Sequence, residues 1–171
     1  MNAYQSEKQK KSIDFSIKAT WLAISKMYNV LGGDYDITHS TGFVLLNIDK
    51  EHGTPATKIA PMMGMEARSL TRMLKTMEEK GFIYREADEH DRRKVMIKLT
   101  EEGRRRREMS KQTVKVFQGR INDVVTDREM QNFFKVIDKI HGVINHQQSM
   151  LQEIQSNLAL KGIKDEDLKK A

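Results

Sequence analysis

The chain has 171 residues, of which 38% are hydrophobic and 32% are charged, a balance typical of one folded, helix-rich unit rather than a disordered chain. It contains no cysteine, which excludes disulfides, thiolate zinc sites, cysteine nucleophiles and thiol-based peroxide sensing. No stretch approaches the roughly 20 apolar residues of a membrane span, and no apolar signal-peptide core follows the basic N-terminus, so we expect a cytoplasmic protein that does not contact membranes.

Positive charge is concentrated in one part of the chain. Residues 55–107 contain 14 Lys and Arg against 9 Asp and Glu, while the net charge of the whole chain is +6. A total of this size is weak evidence by itself, because many basic proteins bind nothing anionic. Its concentration in one third of the chain is the electrostatic pattern of a nucleic-acid-binding module.

The first third of the chain predicts two helices. From Ile13 to Leu31, apolar residues recur at the spacing of one long helical stripe, which ends at Gly32 and Gly33. Thr38 is a predicted N-cap of a second helix that closes near Gly53. The apolar residues of these two helices are Ile13, Ile17, Trp21, Ile24, Tyr28 and Leu31, then Phe43, Val44 and Leu46.

The next segment predicts two helices around a glycine-containing turn. Thr54 is a predicted N-cap with Pro55 at the first helical position, where a missing N–H costs nothing. Pro61 predicts that this short helix kinks or ends there, since proline removes a backbone hydrogen bond. After Gly64, a stronger helical pattern covers residues 66–80, and Gly81 stands where a left-handed cap is usual.

A hairpin and two further helices complete the pattern. Residues 82–85 and 95–99 read as short strands around a polar tip, residues 87–94. Helical spacing returns over residues 101–125 and from 127 to about 151, and a polar tail follows. The apolar positions of these helices are Val114, Phe117, Ile121 and Val124, then Phe133, Ile137, Ile140 and Ile144. A hairpin directly after a helix-turn-helix is a wing.

The helix predicted over residues 66–80 has one apolar and one basic side. At about 100° per residue, Arg68, Arg72 and Lys75 lie opposite the apolar stripe, with Ser69 and Thr71 beside them. Arginine can bind guanine edges in a major groove, while Ser, Thr and Lys can reach phosphates or bases. The alternative is an ordinary solvated helix face, and the neighbouring elements favour the first interpretation.

The wing tip is also cationic. Arg92, Arg93 and Lys94 are predicted to enter a minor groove, where narrow A·T tracts concentrate negative potential. Asp91 is predicted to brace a wing or recognition-helix arginine, and solvent exposure is its alternative. The run of four arginines at residues 104–107 covers all sides of its helix and is predicted to give only supporting backbone contacts.

Two segments resemble the MarR family. The segment ADEHDRRKVMIKLTEEG is similar to that family's wing signature, and IAPMMGMEARSLTRMLKTMEEKGFIYR resembles its paired helices. The matching positions are Leu70, Thr71, Arg72, Leu74, Glu78, Lys80 and Gly81, then Asp88, Asp91, Arg92, Arg93, Leu99, Thr100 and Gly103. Two positions depart from the family pattern: His90 replaces the usual arginine, and Pro61 interrupts the short helix.

The element order and the resemblance together predict a mainly α fold: a winged helix-turn-helix with a two-stranded wing, and long helices that form a dimerisation domain. We expect an N-terminal dimerisation helix in residues 1–37, a DNA-binding domain in 38–103, C-terminal dimerisation helices in 104–151 and a polar tail in 152–171. The resemblance implies a homodimeric, sequence-specific transcription regulator of double-stranded DNA. It also implies a near-palindromic operator and, commonly, repression that a small lipophilic or aromatic ligand relieves.

The effector site is the least constrained part of this prediction. The resemblance implies a crevice between the dimer helices and the winged domain, for which Trp21, Tyr28 and Phe43 are candidates; ordinary core or interface packing is the alternative. We predict no catalytic residues, metal or cofactor, because phosphate loops, zinc-helix motifs and nucleophile elbows are missing from the sequence. A winged-helix protein-interaction module and a ligand-processing enzyme remain the competing classes.

Overall fold

The computed structural model describes residues 12–88, 91 and 94–163. The chain divides into two compact units, Met1–Gln118 and Gly119–Ala171. The elements are α1 Ile13–Gly32, a 3₁₀ turn Gly33–Tyr35, α2 His39–Asn47, β1 Thr54–Pro55, α3 Ala56–Met63, α4 Ala67–Glu79, β2 Ile83–Ala87, β3 Val95–Leu99, α5 Glu101–Asn122, α6 Asp127–Asn145 and α7 Gln147–Leu160. The predicted mainly α winged helix-turn-helix is confirmed. In the ranges described, no helix is long and apolar enough to cross a bilayer.

The core of the first unit lies where α2, α3 and α4 pack against the sheet. Its fully buried side chains include Leu45, Ile59 and Met77 from the helices, with Ile83 and Ile97 from the strands. These residues repeat at helical spacing on the helices and alternate on the strands, so each element turns one apolar side inward. The core therefore holds the helix-turn-helix and the wing as one body.

The sheet has three strands, in the order β1-β3-β2. The predicted start of α3 at Thr54 and Pro55 is wrong, because these two residues form strand β1. Thr54 and Pro55 pair with Ile97 and Met96 instead of starting that helix. Pro55 is tolerated because β1 is an edge strand, where a missing N–H breaks no ladder on the open side. The Thr54 hydroxyl accepts a hydrogen bond from the Asp49 N–H at 2.9 Å, and α3 begins directly after β1.

Two other helix boundaries also differ from the sequence prediction. α2 ends at Asn47 rather than near Gly53, because the Asp49 carboxylate accepts hydrogen bonds from the N–H groups of Glu51 and His52 and forms a turn. α3 does not end at Pro61 but continues to Met63. Proline removes a single N–H, and the helix stops instead where Gly64 adopts a left-handed φ of 58°. The predicted cap at Thr38 is confirmed, since its side chain accepts from the Thr41 N–H.

The second unit carries α6 and α7. A capping box starts α6, in which Thr126 and Glu129 satisfy each other's backbone N–H groups. The polar tail predicted from residue 152 begins inside α7, which stays helical to Leu160. Neither helix has a buried residue, and Phe133 and Phe134 are each 57% exposed. An amphipathic helix gains stability chiefly by burying its apolar side, and no described residue of this unit buries the apolar side of these two helices.

Candidate nucleic-acid interface

The recognition helix α4 is fixed through its apolar side. Leu70, Leu74 and Met77 are buried in the core of the first unit. Gly81 takes a φ of 70° just past the helix, and the Phe82 N–H donates to the Met77 carbonyl at 2.9 Å. This pattern is a Schellman cap, in which a left-handed residue satisfies the last carbonyls and a hydrophobic contact closes the turn. The helix is therefore held along its length and at its C-terminal end.

The opposite side of α4 is cationic and open. All five predicted contact residues are exposed: Arg68, Ser69, Thr71, Arg72 and Lys75. Arg68 and Arg72 are one turn apart, and neither forms an ion pair with a described residue. Lys75 lies 3.8 Å from the Glu79 carboxylate, an exposed pair that contributes little. The structure thus brings together the cationic face that the sequence predicts.

Two ion pairs tie the end of α4 to neighbouring segments. The Glu78 carboxylate lies 3.2 Å from Arg85 Nε on β2, and Lys80 Nζ lies 2.7 Å from Asp36 Oδ1 after the 3₁₀ turn. Sequence reasoning missed both pairs. Glu78 and Lys80 do match the family pattern, but nothing local identifies Asp36, whose separation from Lys80 is 44 residues, as a partner. Both pairs are partly exposed and add little to the position of α4, which its buried apolar side fixes.

The wing is closed by hydrogen bonds among its acidic and basic residues. The backbone N–H of Asp88 donates to the Lys94 carbonyl at 3.0 Å, and the Asp91 N–H donates to the Asp88 carboxylate at 2.9 Å. The Asp91 carboxylate lies 3.4 Å from Lys94 Nζ. Asp91 therefore contacts a wing cation, as well as shaping the turn. The predicted contact residues Arg92 and Arg93 lie outside the described residues. So does His90, which replaces the arginine usual in the family pattern.

A cavity of about 310 Å³ lies within the first unit, between α1, residues 37–46 and α5. Trp21, Tyr28 and Phe43, the three predicted pocket residues, all line it. His39 also lines the cavity, and its ring stacks on Tyr28 with a centroid distance of 5.3 Å and contacts Trp21 at 4.8 Å. Sequence reasoning missed His39, because a lone histidine beside a helix cap carries no distinguishing pattern.

Hydrogen bonds hold His39 in place. Its Nδ1 lies 3.0 Å from the Ser25 hydroxyl, and its backbone N–H donates to the Asn29 side chain at 2.7 Å. Burial lowers the pKa of His39 below its ordinary value, and burial raises the pKa of Tyr28. Both side chains are therefore held in their uncharged forms at neutral pH.

Comparison with known proteins places this geometry in a family. The MarR family model matches residues 37–95, which span α2 to the start of β3. A curated relative is the HTH-type transcriptional regulator SarZ of Staphylococcus aureus strain MRSA252, 30% identical over 117 residues that cover 68% of this chain and 76% of that protein. The chain belongs to the MarR family of transcription regulators.

Solved MarR-like structures share the fold. The transcriptional repressor CouR, bound to a 23-mer DNA duplex, has a TM-score of 0.68 and 21% identity, and the match covers 78% of this chain and 95% of that one. CouR of Rhodococcus jostii RHA1 bound to p-coumaroyl-CoA has a TM-score of 0.67 and 22% identity, covering 77% and 92%. At this identity the likeness establishes the architecture alone.

The MarR signature residues after the wing are architectural. The Thr100 hydroxyl donates to the Gly81 carbonyl at 2.6 Å and accepts from the Gly103 N–H at 3.0 Å, so it caps α5 and holds the end of α4. A Cβ on Gly103 would lie 1.8 Å from the Phe82 carbonyl oxygen. The Leu-Thr and glycine of the signature thus lock the wing, α4 and α5 together.

Two of the four arginines at residues 104–107 form hydrogen bonds within the chain itself. Arg106 Nη1 donates to the Tyr35 carbonyl at 2.5 Å, and its Nε lies 2.7 Å from Glu102. Arg107 donates to the Leu46 carbonyl at 3.3 Å. Both are half-buried, whereas Arg104 and Arg105 are exposed. Only the exposed pair has the placement that the predicted supporting DNA contacts require.

Proposed function

We propose that the protein is a sequence-specific repressor that binds double-stranded operator DNA as a homodimer and is released by a small lipophilic or aromatic ligand. The observation that carries this proposal is the open cationic face of α4, on which Arg68 and Arg72 have no ion-pair partner among the described residues. Guanidinium groups held without internal partners on a fixed helix keep their donors available for a nucleic acid. The proposal implies a cytoplasmic protein.

The proposed docking puts α4 in the major groove. Arg68 and Arg72 reach base edges, where one bidentate arginine–guanine pair contributes about 1–3 kcal/mol of discrimination. Ser69, Thr71 and Lys75 take phosphate or neighbouring base contacts. Arg92, Arg93 and Lys94 at the wing reach the flanking minor groove, and Asp91 holds the tip by its contacts with Lys94 and Asp88.

The exposed apolar surfaces support a homodimer. On α1, Ile13, Ile17 and Leu31 are exposed, and so are Phe133 and Phe134 on α6. A second copy of the chain that covers these helices would bury apolar area that water otherwise contacts, and closed two-fold symmetry is the commonest arrangement. We assign residues 1–37 and 104–151 to dimerisation and 38–103 to DNA binding. A two-fold dimer reads a near-palindromic operator with half-sites about one helical turn apart.

The cavity supports release by a ligand. It lies beside the segment that carries Asp36, whose carboxylate holds Lys80 at the end of α4. A ligand favours release if it binds the conformation that does not fit the operator more tightly than the one that does. The CouR structure that contains p-coumaroyl-CoA supports effector binding on this fold.

Fluorescence anisotropy with DNA from upstream of the protein's own gene, across a salt series and against a scrambled duplex, tests operator binding. Arg72→Ala should weaken operator binding roughly 5- to 150-fold, the equivalent of one lost bidentate contact. Arg72→Lys keeps the charge, so it should retain the salt dependence but lose discrimination against the scrambled duplex. Lys161→Ala, which removes an exposed positive charge outside the DNA-binding and dimerisation segments, is the matched control.

The outcomes separate the functional classes. Unchanged operator affinity in Arg72→Ala would contradict the role of that residue. No binding of the native protein to any duplex at low salt would favour a winged-helix protein-interaction module instead. Equal binding to both duplexes at every salt concentration would contradict sequence-specific recognition of the upstream region.

A further inference from the structure

The cavity of the first unit offers no formal charge to a ligand. Its lining residues include aromatic, aliphatic, glycine, threonine and serine side chains and one histidine, but no Lys, Arg, Asp or Glu. A carboxylate that is buried against such a lining loses hydration without gaining an opposite charge, which is unfavourable. The electrostatics of the described lining therefore oppose an anionic ligand.

The hydroxyl groups in the lining are already used by the fold. Ser110 donates to the Arg106 carbonyl at 2.9 Å, and Thr113 donates to the Met109 carbonyl at 3.0 Å. Thr38 accepts from the Thr41 N–H as the cap of α2, and its hydroxyl lies 2.8 Å from the Thr41 hydroxyl, where either oxygen can be the donor. A hydroxyl whose hydrogen is engaged with its own helix has no proton left to donate to a ligand. The side chains left for polar recognition are His39, Tyr28 and Trp21, whose indole N–H has no hydrogen bond to a described residue.

His39 is built to offer one neutral hydrogen bond. Nδ1 faces the Ser25 hydroxyl, and no described residue bonds to Nε2. If Ser25 donates to Nδ1, then Nε2 carries the hydrogen and is a donor; if Ser25 accepts, Nε2 is an acceptor. The Ser25 hydroxyl can rotate to suit either case. Stacking on Tyr28 and the contact with Trp21 hold the imidazole among aromatic rings.

We propose that this cavity selects an uncharged aromatic ligand and that His39 is the residue that recognises its polar group. The proposal rests on the proposed effector function and names the ligand class of that same site. The aromatic wall supplies planar contact for a ring system, and a volume of about 310 Å³ suits a ligand of one or two rings. The polar group is an amide, hydroxyl or carbonyl, because each matches one tautomer of the imidazole.

Isothermal titration calorimetry with two isosteric probes tests the ligand class. The full-length protein is titrated at pH 7.5 with 2-naphthamide, which is neutral, and with 2-naphthoate, which is anionic. We expect the amide to bind at least tenfold more tightly than the carboxylate. His39→Gln, which keeps a neutral hydrogen-bonding group, should retain amide affinity within about threefold. His39→Leu should lose roughly tenfold, as expected for one hydrogen bond.

Each outcome bears on the proposal. Equal or tighter binding of 2-naphthoate, or no binding of 2-naphthamide, would overturn it. Equal affinities in His39→Leu and His39→Gln would remove His39 from its role. If 2-naphthamide binds as expected but leaves operator anisotropy unchanged, the ligand class stands and ligand-induced release fails. Thermal unfolding checks that both variants fold; if His39→Leu does not, His39→Phe replaces it as the variant without a hydrogen-bonding group.

Discussion

Replacing Thr100 by Val tests whether one hydroxyl group joins the recognition helix to α5. Valine keeps the branched shape but can neither accept from the Gly103 N–H nor donate to the Gly81 carbonyl, which lie 3.0 and 2.6 Å from the Thr100 oxygen. Loss of the cap costs about 1 kcal/mol, and loss of the second hydrogen bond costs about 1 kcal/mol more. The free energy of unfolding should therefore fall by roughly 2 kcal/mol.

Urea denaturation followed by circular dichroism measures this loss. Native protein and variants are compared at one protein concentration, because a dimer's apparent stability depends on concentration. The midpoint should fall while the slope of unfolding free energy against urea stays constant, as for a change in stability alone. Thr100→Ser keeps both hydrogen bonds and is the matched control. A Thr100→Val protein within about 0.5 kcal/mol of the native one would refute the assigned role.

Three further predictions concern Gly103, Asp36 and His39. Gly103→Ala should lower the unfolding free energy by more than about 2 kcal/mol, because its Cβ would lie 1.8 Å from a backbone carbonyl; a native-like thermal midpoint would contradict the close approach. Asp36→Ala should be about 1 kcal/mol less stable in urea than Asp36→Asn, because Asp36 has a φ of 53° and asparagine tolerates that conformation better; equal midpoints would argue against backbone strain. The difference in unfolding free energy between the native protein and His39→Gln should be smaller at pH 5 than at pH 7.5. Burial lowers the folded-state pKa of His39, so the native protein loses stability as pH falls through the unfolded value; a constant difference in calorimetric midpoints would oppose this.

Local patterns in the sequence were enough to predict the winged helix-turn-helix. The apolar positions of α4, the left-handed glycine at residue 81 and the cap at Thr38 each depend on residues within one or two turns. Helical periodicity and capping are short-range effects, so they can be read without knowledge of distant partners. The cationic face of α4 follows from the same periodicity.

Two of the features that prediction missed depend on long-range contacts, whereas the early end of α2 comes from the local turn at Asp49. Thr54 and Pro55 look like a helix start by local rules, but they pair with β3 and form a strand. The pair Lys80–Asp36 joins segments that no short-range pattern connects. Pairing with residues 96 and 97 of β3 is a long-range contact, which a local helix preference does not include.

Composition and periodicity directly express the order of the main helices and the wing strands, the cationic face and the exclusion of thiol chemistry. The packing of the helices is what brings His39 among Trp21, Tyr28 and Phe43, and what leaves the cavity they line without formal charge in the described chain. The environment of a side chain is set by elements that meet in space. Its pKa and its capacity to recognise a ligand therefore appear only after the helices have packed.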